Sequence, residues 1–415
     1  MKVVHLSHSD LNGGAAIAAY RIHKALRSQG IDSTMAVNNA TSGDWTVHRP
    51  KTASARQMAY IRPYLASFLS KRLQSTESGI HSAAFVPSTW PDRLRATGAD
   101  IINLHWVNGE MMSIADIGQL PQPVVWTLHD MWAFCGAEHY TNDHRWQEGY
   151  WQHNRPSYEG GFDLNRWTWD RKRKHWRKPF QIVTPSQWLA DCVSKSALMG
   201  DWPVTVIPNP IDTDLWQPVD KGLARQCFHL PVDIPLLLFG AGGGTGNFRK
   251  GFDLLQLALS HLQDHLPGLE LVVFGQSAPK EPINLGFPVH YVGRLQDQYS
   301  LRLLYCAADA MVISSRQDNL PNTGLEAHAC GTPVIAFHTG GLPDIVSHMK
   351  TGYLAQAFNT DDLANGIQWV LGDSERHAFL RDAARQRAID KWSSQVVTDS
   401  YRKVYEYILS VSISG

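Results

Sequence analysis

Residues 314–334 read Ser-Ser-Arg-Gln-Asp-Asn-Leu-Pro-Asn-Thr-Gly-Leu-Glu-Ala-His-Ala-Cys-Gly-Thr-Pro-Val. The apolar run ahead of them, Asp309-Ala-Met-Val-Ile313, predicts a buried strand. Thr323 to Cys330 predicts a helix, closed by Gly331 with Pro333 just beyond. Asp318 then sits at the carboxyl end of the strand and Glu326 inside the helix. In open α/β sheets that edge is where ligands bind. Carboxylates placed there accept hydrogen bonds from hydroxyls, and sugars and riboses are the ligands richest in hydroxyls. Taken alone, the pair also fits a solvated turn aspartate and a surface glutamate, so the surrounding chain has to decide.

Outward from this stretch, strand-like apolar runs alternate with amphipathic segments along the chain, the signature of parallel α/β architecture. The first half carries candidate strands Val3–Leu6, Asp32–Val37, Ile101–Leu104, Val124–Leu128 and Ile182–Thr184. The second carries Leu236–Phe239, Leu269–Phe274, Val289–Tyr291, Ala310–Ile313 and Val334–Phe337. Helices are expected at Ala15–Ser28, Phe252–His265 and Gln395–Leu409. Two doubly wound domains of similar size follow. Their join is expected in Val206-Ile-Pro-Asn-Pro-Ile-Asp-Thr-Asp-Leu-Trp216, where prolines 208 and 210 exclude helix and favour an extended connection.

Composition agrees. A chain of 415 residues with 43% hydrophobic content supports more than one core. Its 38 basic and 38 acidic residues balance, which argues against a nucleic-acid partner. The N-terminus lacks the apolar core of a signal peptide, and no apolar stretch approaches the roughly 18 residues of a membrane-spanning helix. Five scattered cysteines fit buried thiols in a reducing, cytoplasmic compartment.

In the second half, strand Leu236–Phe239 runs into Gly240-Ala-Gly-Gly-Gly-Thr-Gly-Asn-Phe-Arg249-Lys250-Gly251 and a helix. Glycines let backbone approach an anion, and a new helix offers free N–H groups. Arg249 and Lys250 add the positive charge that would offset a departing nucleoside diphosphate. A dinucleotide fingerprint fails because Thr245 breaks the glycine spacing and Gly275-Gln276 lacks the ribose-binding acid. In the first half, Asn12-Gly13-Gly14 opens a helix after the first strand. Two histidines close strands, His105 after Ile101–Leu104 and His129 in Trp126-Thr-Leu-His-Asp130.

Together these motifs resemble the retaining GT-B glycosyltransferases of family 4. The 318/326 pair matches that family's Glu-x7-Glu motif with Asp for the first Glu, and Ile207-Pro-Asn-Pro-Ile-Asp212 resembles its interdomain segment with Pro210 replacing Gly. Trp-Thr-Leu-His-Asp and Ser-Arg-Gln-Asp-Asn-Leu-Pro bring the chain nearest to the colanic-acid and exopolysaccharide branch. The resemblance implies two Rossmann-like domains facing a cleft. The first would span 1–205 together with a terminal helix, about 385–415, that crosses back to it; the second would span 206–384. It implies that Asp318 binds hydroxyls of the transferred sugar and Glu326 the ribose. The amides near Asn319 and Leu320 would face sugar and phosphates. Lys250 matches the family's phosphate-binding lysine. The upstream Gly-Arg pair is absent, and Arg249 substitutes for it only in a remodelled loop. Gly13 and Gly14 would lie against the diphosphate, and His129 beside the transferred sugar. The catalytic set implied is thus His129, Lys250 and Asp318, with no metal and no cofactor beyond the nucleotide-sugar substrate. The acceptor implied is a hydroxyl of a glycan or lipid-linked glycan. A sugar-nucleotide epimerase on the same fold and an inactive glycan-binding protein are the rival readings.

Two segments stand apart. Residues 131–178 are rich in tryptophan and histidine. The tract Arg166-Trp-Thr-Trp-Asp-Arg-Lys-Arg-Lys-His-Trp-Arg-Lys178 suits a sugar-stacking surface, a membrane-facing patch or, most commonly for a charge run, a solvated helix. Ala55–Gln74 places Ile61, Tyr64, Leu65 and Phe68 at helical spacing among Arg56, Arg62, Lys71 and Arg72. The ordinary expectation is that this apolar face packs on the first domain. The alternative is a weak, salt-sensitive contact with an anionic leaflet, which would leave the protein cytoplasmic and at most peripheral to the membrane.

Overall fold

The computed structural model describes residues 1–74, 79–121, 123–240, 246–281 and 283–414. They form two compact units, Met1–Pro210 with Val397–Gly415, and Ile211–Val396.

The first unit contains strands β1 (Lys2–Ser9), β2 (Asp32–Asn39), β3 (Val47–His48), β4 (Leu73–Gln74), β5 (Ile101–Leu104), β6 (Val124–Thr127), β7 (Gly160–Gly161), β8 (Gln181–Thr184) and β9 (Val204–Val206). Seven of them build a sheet in the order β3-β2-β1-β5-β6-β8-β9, every pairing parallel, while β4 and β7 form a short antiparallel pair. Strands β5 and β6 are buried along their whole length, as expected when helices cover both faces of a parallel sheet. On one face, helix Gly14–Ser28 contributes Ile22 and Leu26 to a core with Val3, Ile101, Val125 and Val183. The C-terminal helix completes that core with Val397, Tyr401, Val404 and Tyr405.

The other face of this sheet carries the tryptophans. Trp126, Trp132, Trp146, Trp169 and Trp176 are all buried. The Arg/Trp tract forms helix Leu164–His175, and it is a solvated helix on one side only. Its Lys172 is fully buried, with the ammonium 3.9 Å from the Trp132 ring. That ammonium donates to the carbonyls of Trp132, of Cys135 (3.0 Å) and of Gly136 (2.7 Å). One face of the tract is therefore a core element, because one side chain satisfies three carbonyls of a turn that has no ladder partner. Helix Ala53–Ser70 reverses expectation in the other direction. Arg62 turns inward, donating to the carbonyls of Glu110 (2.6 Å), Pro87 and Val86, and Tyr64, Leu65 and Phe68 stay exposed. The guanidinium supplies the donors that these three carbonyls need.

The second unit contains β10 (Leu236–Gly240), β11 (Glu270–Phe274), β12 (Val289–Gly293), β13 (Ala310–Ile313), β14 (Val334–Phe337) and β15 (Gly352–Ala355). All pair in parallel in the order β12-β11-β10-β13-β14-β15. Helix Ser374–Trp392 belongs to this unit, with Leu380, Ala384, Ala388 and Trp392 buried and the Trp392 ring stacked on His328. This packing places the return to the first unit at Val397, later than about residue 385, and the boundary at Pro210 falls inside the expected Val206–Trp216 connection, past the bound of 205. In each sheet the strand order reverses beside the first strand, between β1 and β5 and between β10 and β13. Those reversals mark the carboxyl-end crevices where ligands of doubly wound sheets bind.

Candidate functional site

In the second unit the crevice is built from β13 and the turn before helix Phe252–Ser260. Ser314, directly after β13, donates its hydroxyl to the Lys250 carbonyl at 3.1 Å, and the Arg316 amide donates to the Arg249 carbonyl at 2.8 Å. These bonds clip Arg249-Lys250-Gly251 against the strand end. Gly251 has φ 65°, and a Cβ there would lie 2.0 Å from the Ser314 carbonyl oxygen, so only glycine lets the turn sit this close. On the far side, Gly340 (φ 57°) lies against Asp318, whose carbonyl accepts from the Gly341 amide at 2.9 Å. Glycines on two neighbouring segments thus wedge Asp318 into place.

The Asp318 carboxylate is buried between two cations. It accepts from Lys250 Nζ at 2.6 Å and from Ser315 Oγ at 3.2 Å, and Arg249 Nη1 stands 3.3 Å away. Burial acts to raise its pKa, but the charges of Lys250 and Arg249 and these hydrogen bonds outweigh it and hold the carboxyl below its usual value. Both cations remain about one-third exposed, at 33% and 29% of their side chains. The cluster is a closed ion pair whose cations stay in partial contact with solvent, and Arg249 Nη1 also donates to the Gln317 carbonyl at 2.7 Å.

Glu326 lies within helix Asn322–Ala329, buried, and accepts a 2.8 Å hydrogen bond from Tyr305 Oη. Asn319 and Leu320 are buried, with the Leu320 side chain in the core. Tyr305 and Ser315 carry no local sequence signal; only the packing reveals them. The glycine-rich segment falls largely outside the described residues, since 241–245 are not among them.

In the first unit, Gly13 and Gly14 are exposed at the start of helix Gly14–Ser28, past the end of β1. His105 and His129 stand beyond β5 and β6 and belong to a chain of imidazoles. His5 Nδ1 lies 2.9 Å from His105 Nε2, and His105 Nδ1 lies 3.1 Å from His129 Nε2. Burial lowers all three, His129 to about 4 despite the opposing charge of Asp130, so the chain is neutral at ordinary pH. Asp130 itself is held by His139 Nδ1 at 2.6 Å and Trp106 Nε1 at 3.0 Å. A small cavity opens here, lined by His105, Trp106, Trp126, His129, Asp130 and Trp132 among others. Among the described residues, no three His, Cys, Asp or Glu side chains are arranged to hold a metal ion. Lys250, Arg249 and Asp318 are thus brought together in one unit, and His129, Gly13 and Gly14 belong to the other.

The chain matches two family models, "Glycosyltransferase Family 4" over residues 12–215 and "Glycosyl transferases group 1" over residues 244–387. Among curated proteins it is similar to the D-inositol 3-phosphate glycosyltransferase of Actinosynnema mirum, 35% identical over 198 residues, covering 43% of this chain and 46% of the relative. It spans about half the length of the curated relatives it matches. Among solved structures, sucrose-phosphate synthase from Thermosynechococcus elongatus aligns with a TM-score of 0.67 at 19% identity, covering 99% of this chain and 100% of the other. HepE from Anabaena, solved in complex with UDP-glucose, aligns with a TM-score of 0.64 at 17% identity, covering 98% and 100%. With two such models spanning most of its length on two parallel, doubly wound units, the chain belongs to the family 4 glycosyltransferases of the GT-B fold.

Proposed function

We propose that this protein is a retaining glycosyltransferase that moves a sugar from a nucleotide-sugar donor to a hydroxyl of a glycan or lipid-linked glycan, in exopolysaccharide assembly. The observation that carries the reading is the Asp318 carboxylate clamped by Lys250 and Arg249, both of which stay partly exposed. A bound diphosphate competes for the two cations, and the carboxylate they release accepts hydrogen bonds from the sugar. Glu326 takes the ribose hydroxyls, and the amides of Asn319 and Leu320 face the sugar and phosphates. Gly13 and Gly14 border the diphosphate, and His129 donates to a sugar hydroxyl. The bond from the anomeric carbon to the phosphate oxygen breaks as the acceptor oxygen bonds on the same face, and the leaving phosphate takes the acceptor's proton. Lys250 and Arg249 stabilise the charge that develops on that phosphate, so no metal is required. The acceptor is met in the cytoplasm or at the inner face of the membrane.

A thermal-shift screen of nucleotide sugars, beginning with UDP-sugars, tests donor binding, because a ligand stabilises the native state by RT ln(1 + [L]/Kd). The cognate donor is expected to stand out, and glycan addition in excess chelator is expected to release nucleoside diphosphate. Donor binding without turnover across a broad acceptor panel, or turnover abolished by chelator and restored by one divalent ion, would overturn the reading.

A further inference from the structure

The imidazole chain of the first unit ends, away from His129, in groups that leave its protons one arrangement. Asn103, on β5, has its amide nitrogen 3.2 Å from the Leu104 carbonyl, 3.0 Å from Thr127 Oγ1 and 3.2 Å from His105 Nε2. A carbonyl only accepts, so this end of the amide is the N–H2 end. The opposite end, Oδ1, receives the hydroxyl of Tyr405 at 2.7 Å, from the C-terminal helix. Burial raises that hydroxyl well above its usual value, so it keeps its proton and donates. The amide has two protons for these three neighbours and offers His105 Nε2 a donor but no acceptor, so it favours the single proton of that neutral ring on Nδ1; His5 Nδ1, 2.9 Å away, is the one group there that could take a proton from Nε2. His105 Nδ1–H donates to His129 Nε2, which leaves the His129 proton on Nδ1.

The other end of the chain closes that alternative. His5 Nε2 is buried with no hydrogen-bond partner among the described residues. An orphaned buried N–H is rarer than an under-used acceptor. His5 therefore carries its proton on Nδ1 and donates to His105 Nε2. Three rings point their protons the same way, each in the Nδ1–H form that neutral histidine disfavours in water.

We propose that Asn103, clamped by Tyr405, is a positioning residue that fixes His129 in its Nδ1–H form, so that this histidine meets its ligand as a hydrogen-bond donor and not as an acceptor. The partner so selected is a lone pair, such as a hydroxyl or phosphoryl oxygen of the donor. That assignment of the partner rests on the glycosyltransferase reading; the proton arrangement does not. The device also couples the C-terminal helix, through Tyr405, to a side chain at the mouth of the sheet.

The full chain, labelled with 15N in its histidines and free of any donor, tests this by long-range proton–nitrogen correlation spectra at neutral pH. Protonated and bare ring nitrogens are well separated there, and His129→Gln identifies the His129 signals. The expected result is a protonated Nδ1 and a bare Nε2 for His129, His105 and His5. A protonated Nε2 on His129, or a mixture of the two forms, overturns the proposal. In Asn103→Asp the carboxylate can only accept, so His105 is expected to turn its proton to Nε2 and His129 to follow. A folded Asn103→Asp protein whose His129 stays in the Nδ1–H form removes Asn103 from the role, and if that variant does not fold, the wild-type spectrum still decides. Because no donor is present, an Nδ1–H spectrum in a protein that never transfers a sugar would defeat the proposed function and leave this inference standing.

Discussion

The two crevices are built from opposite materials. In the second unit the groups are charged, partly exposed and paired to one another: Lys250 and Arg249 on Asp318. In the first they are neutral, mostly buried and linked in a line: His5, His105 and His129. An ion pair with an open side can exchange its partner for a ligand at little cost in structure, because solvent already reaches the cations. A buried neutral network cannot exchange partners without leaving polar atoms unpaired. The first arrangement suits a site that must receive and release a polyanion. The second suits one that must present a fixed hydrogen-bonding pattern.

The largest expected difference between them appears in acid. His5, His23, His105 and His129 are packed together and all lowered by burial, His23 and His129 to about 4. Above the unfolded value near 6.5, both states are neutral and the stability is fully present. As pH falls below 6.5, the unfolded chain takes up protons that the folded unit refuses. Stability then drops by about 1.4 kcal/mol per pH unit for each such proton, until the folded value of that group is reached, about 4 for His23 and His129. The second unit has one histidine lowered as far, His328, to about 3. The first unit is therefore expected to lose its hydrogen-exchange protection at higher pH than the second. Loss of protection in both at one pH would break the comparison.

Next in size is Lys250→Ala. On the proposed mechanism it removes the cation that offsets leaving-group charge, and turnover is expected to fall roughly a hundredfold or more while the fold survives. Release of nucleoside diphosphate is the measurement. A variant as active as the wild type would take Lys250 out of the mechanism. The first-unit counterpart is structural: Lys172→Met strands three buried carbonyls, and urea denaturation is expected to show a loss of about 2–4 kcal/mol.

A smaller effect separates the two carboxylates. Glu326→Ala is expected to weaken nucleoside diphosphate binding by about 1–3 kcal/mol, and Tyr305→Phe, which deletes only the hydroxyl donor, by about 1 kcal/mol or less. Asp318→Ala should instead impair use of the sugar while nucleoside diphosphate still binds. Calorimetric titration distinguishes these outcomes, and wild-type binding in both alanine variants would end the division of labour.

The comparison also explains what could be read from sequence. Strands such as Ala310–Ile313 and Val334–Phe337 were legible because a parallel sheet covered on both faces demands unbroken apolar runs. Strands β3, with two residues, β9, beside prolines, and β15, which opens on Gly352, give no such run. The groups on Asp318 were legible because a turn, a helix start and a glycine pair between 314 and 341 mark the carboxylate, and Arg249-Lys250-Gly251 before a helix marks the cations. The network behind His129 was not: Tyr405 and Asn103 are 302 positions apart, and neither residue is unusual locally. Charge misled twice for one reason. Lys172 and Arg62 look like solvent-facing residues of amphipathic helices, but backbone carbonyls without ladder partners draw both inward, a demand visible only once the chain has folded.

The smallest effect concerns helix Ala53–Ser70, where the inward turn of Arg62 changes what the outer face offers. Tyr64, Leu65 and Phe68 are 62%, 48% and 58% exposed, with Arg72 over the Phe68 ring at 4.2 Å and Arg56 and Lys71 nearby. Three cations beside an apolar stripe suit an anionic leaflet, each contributing about 1 kcal/mol near such a surface. That is too little to hold a protein with no net charge against salt screening. Weak co-sedimentation with phosphatidylserine vesicles is expected at low salt, fading as salt is raised and further reduced in Leu65→Glu and Phe68→Glu. The same variants should leave donor binding unchanged, because Leu65 and Phe68 are not among the residues proposed to meet the donor in either unit. Binding that resists high salt would mean that the aromatic stripe inserts, so that apolar burial and not charge governs the contact. Equal binding to neutral vesicles would carry the same meaning.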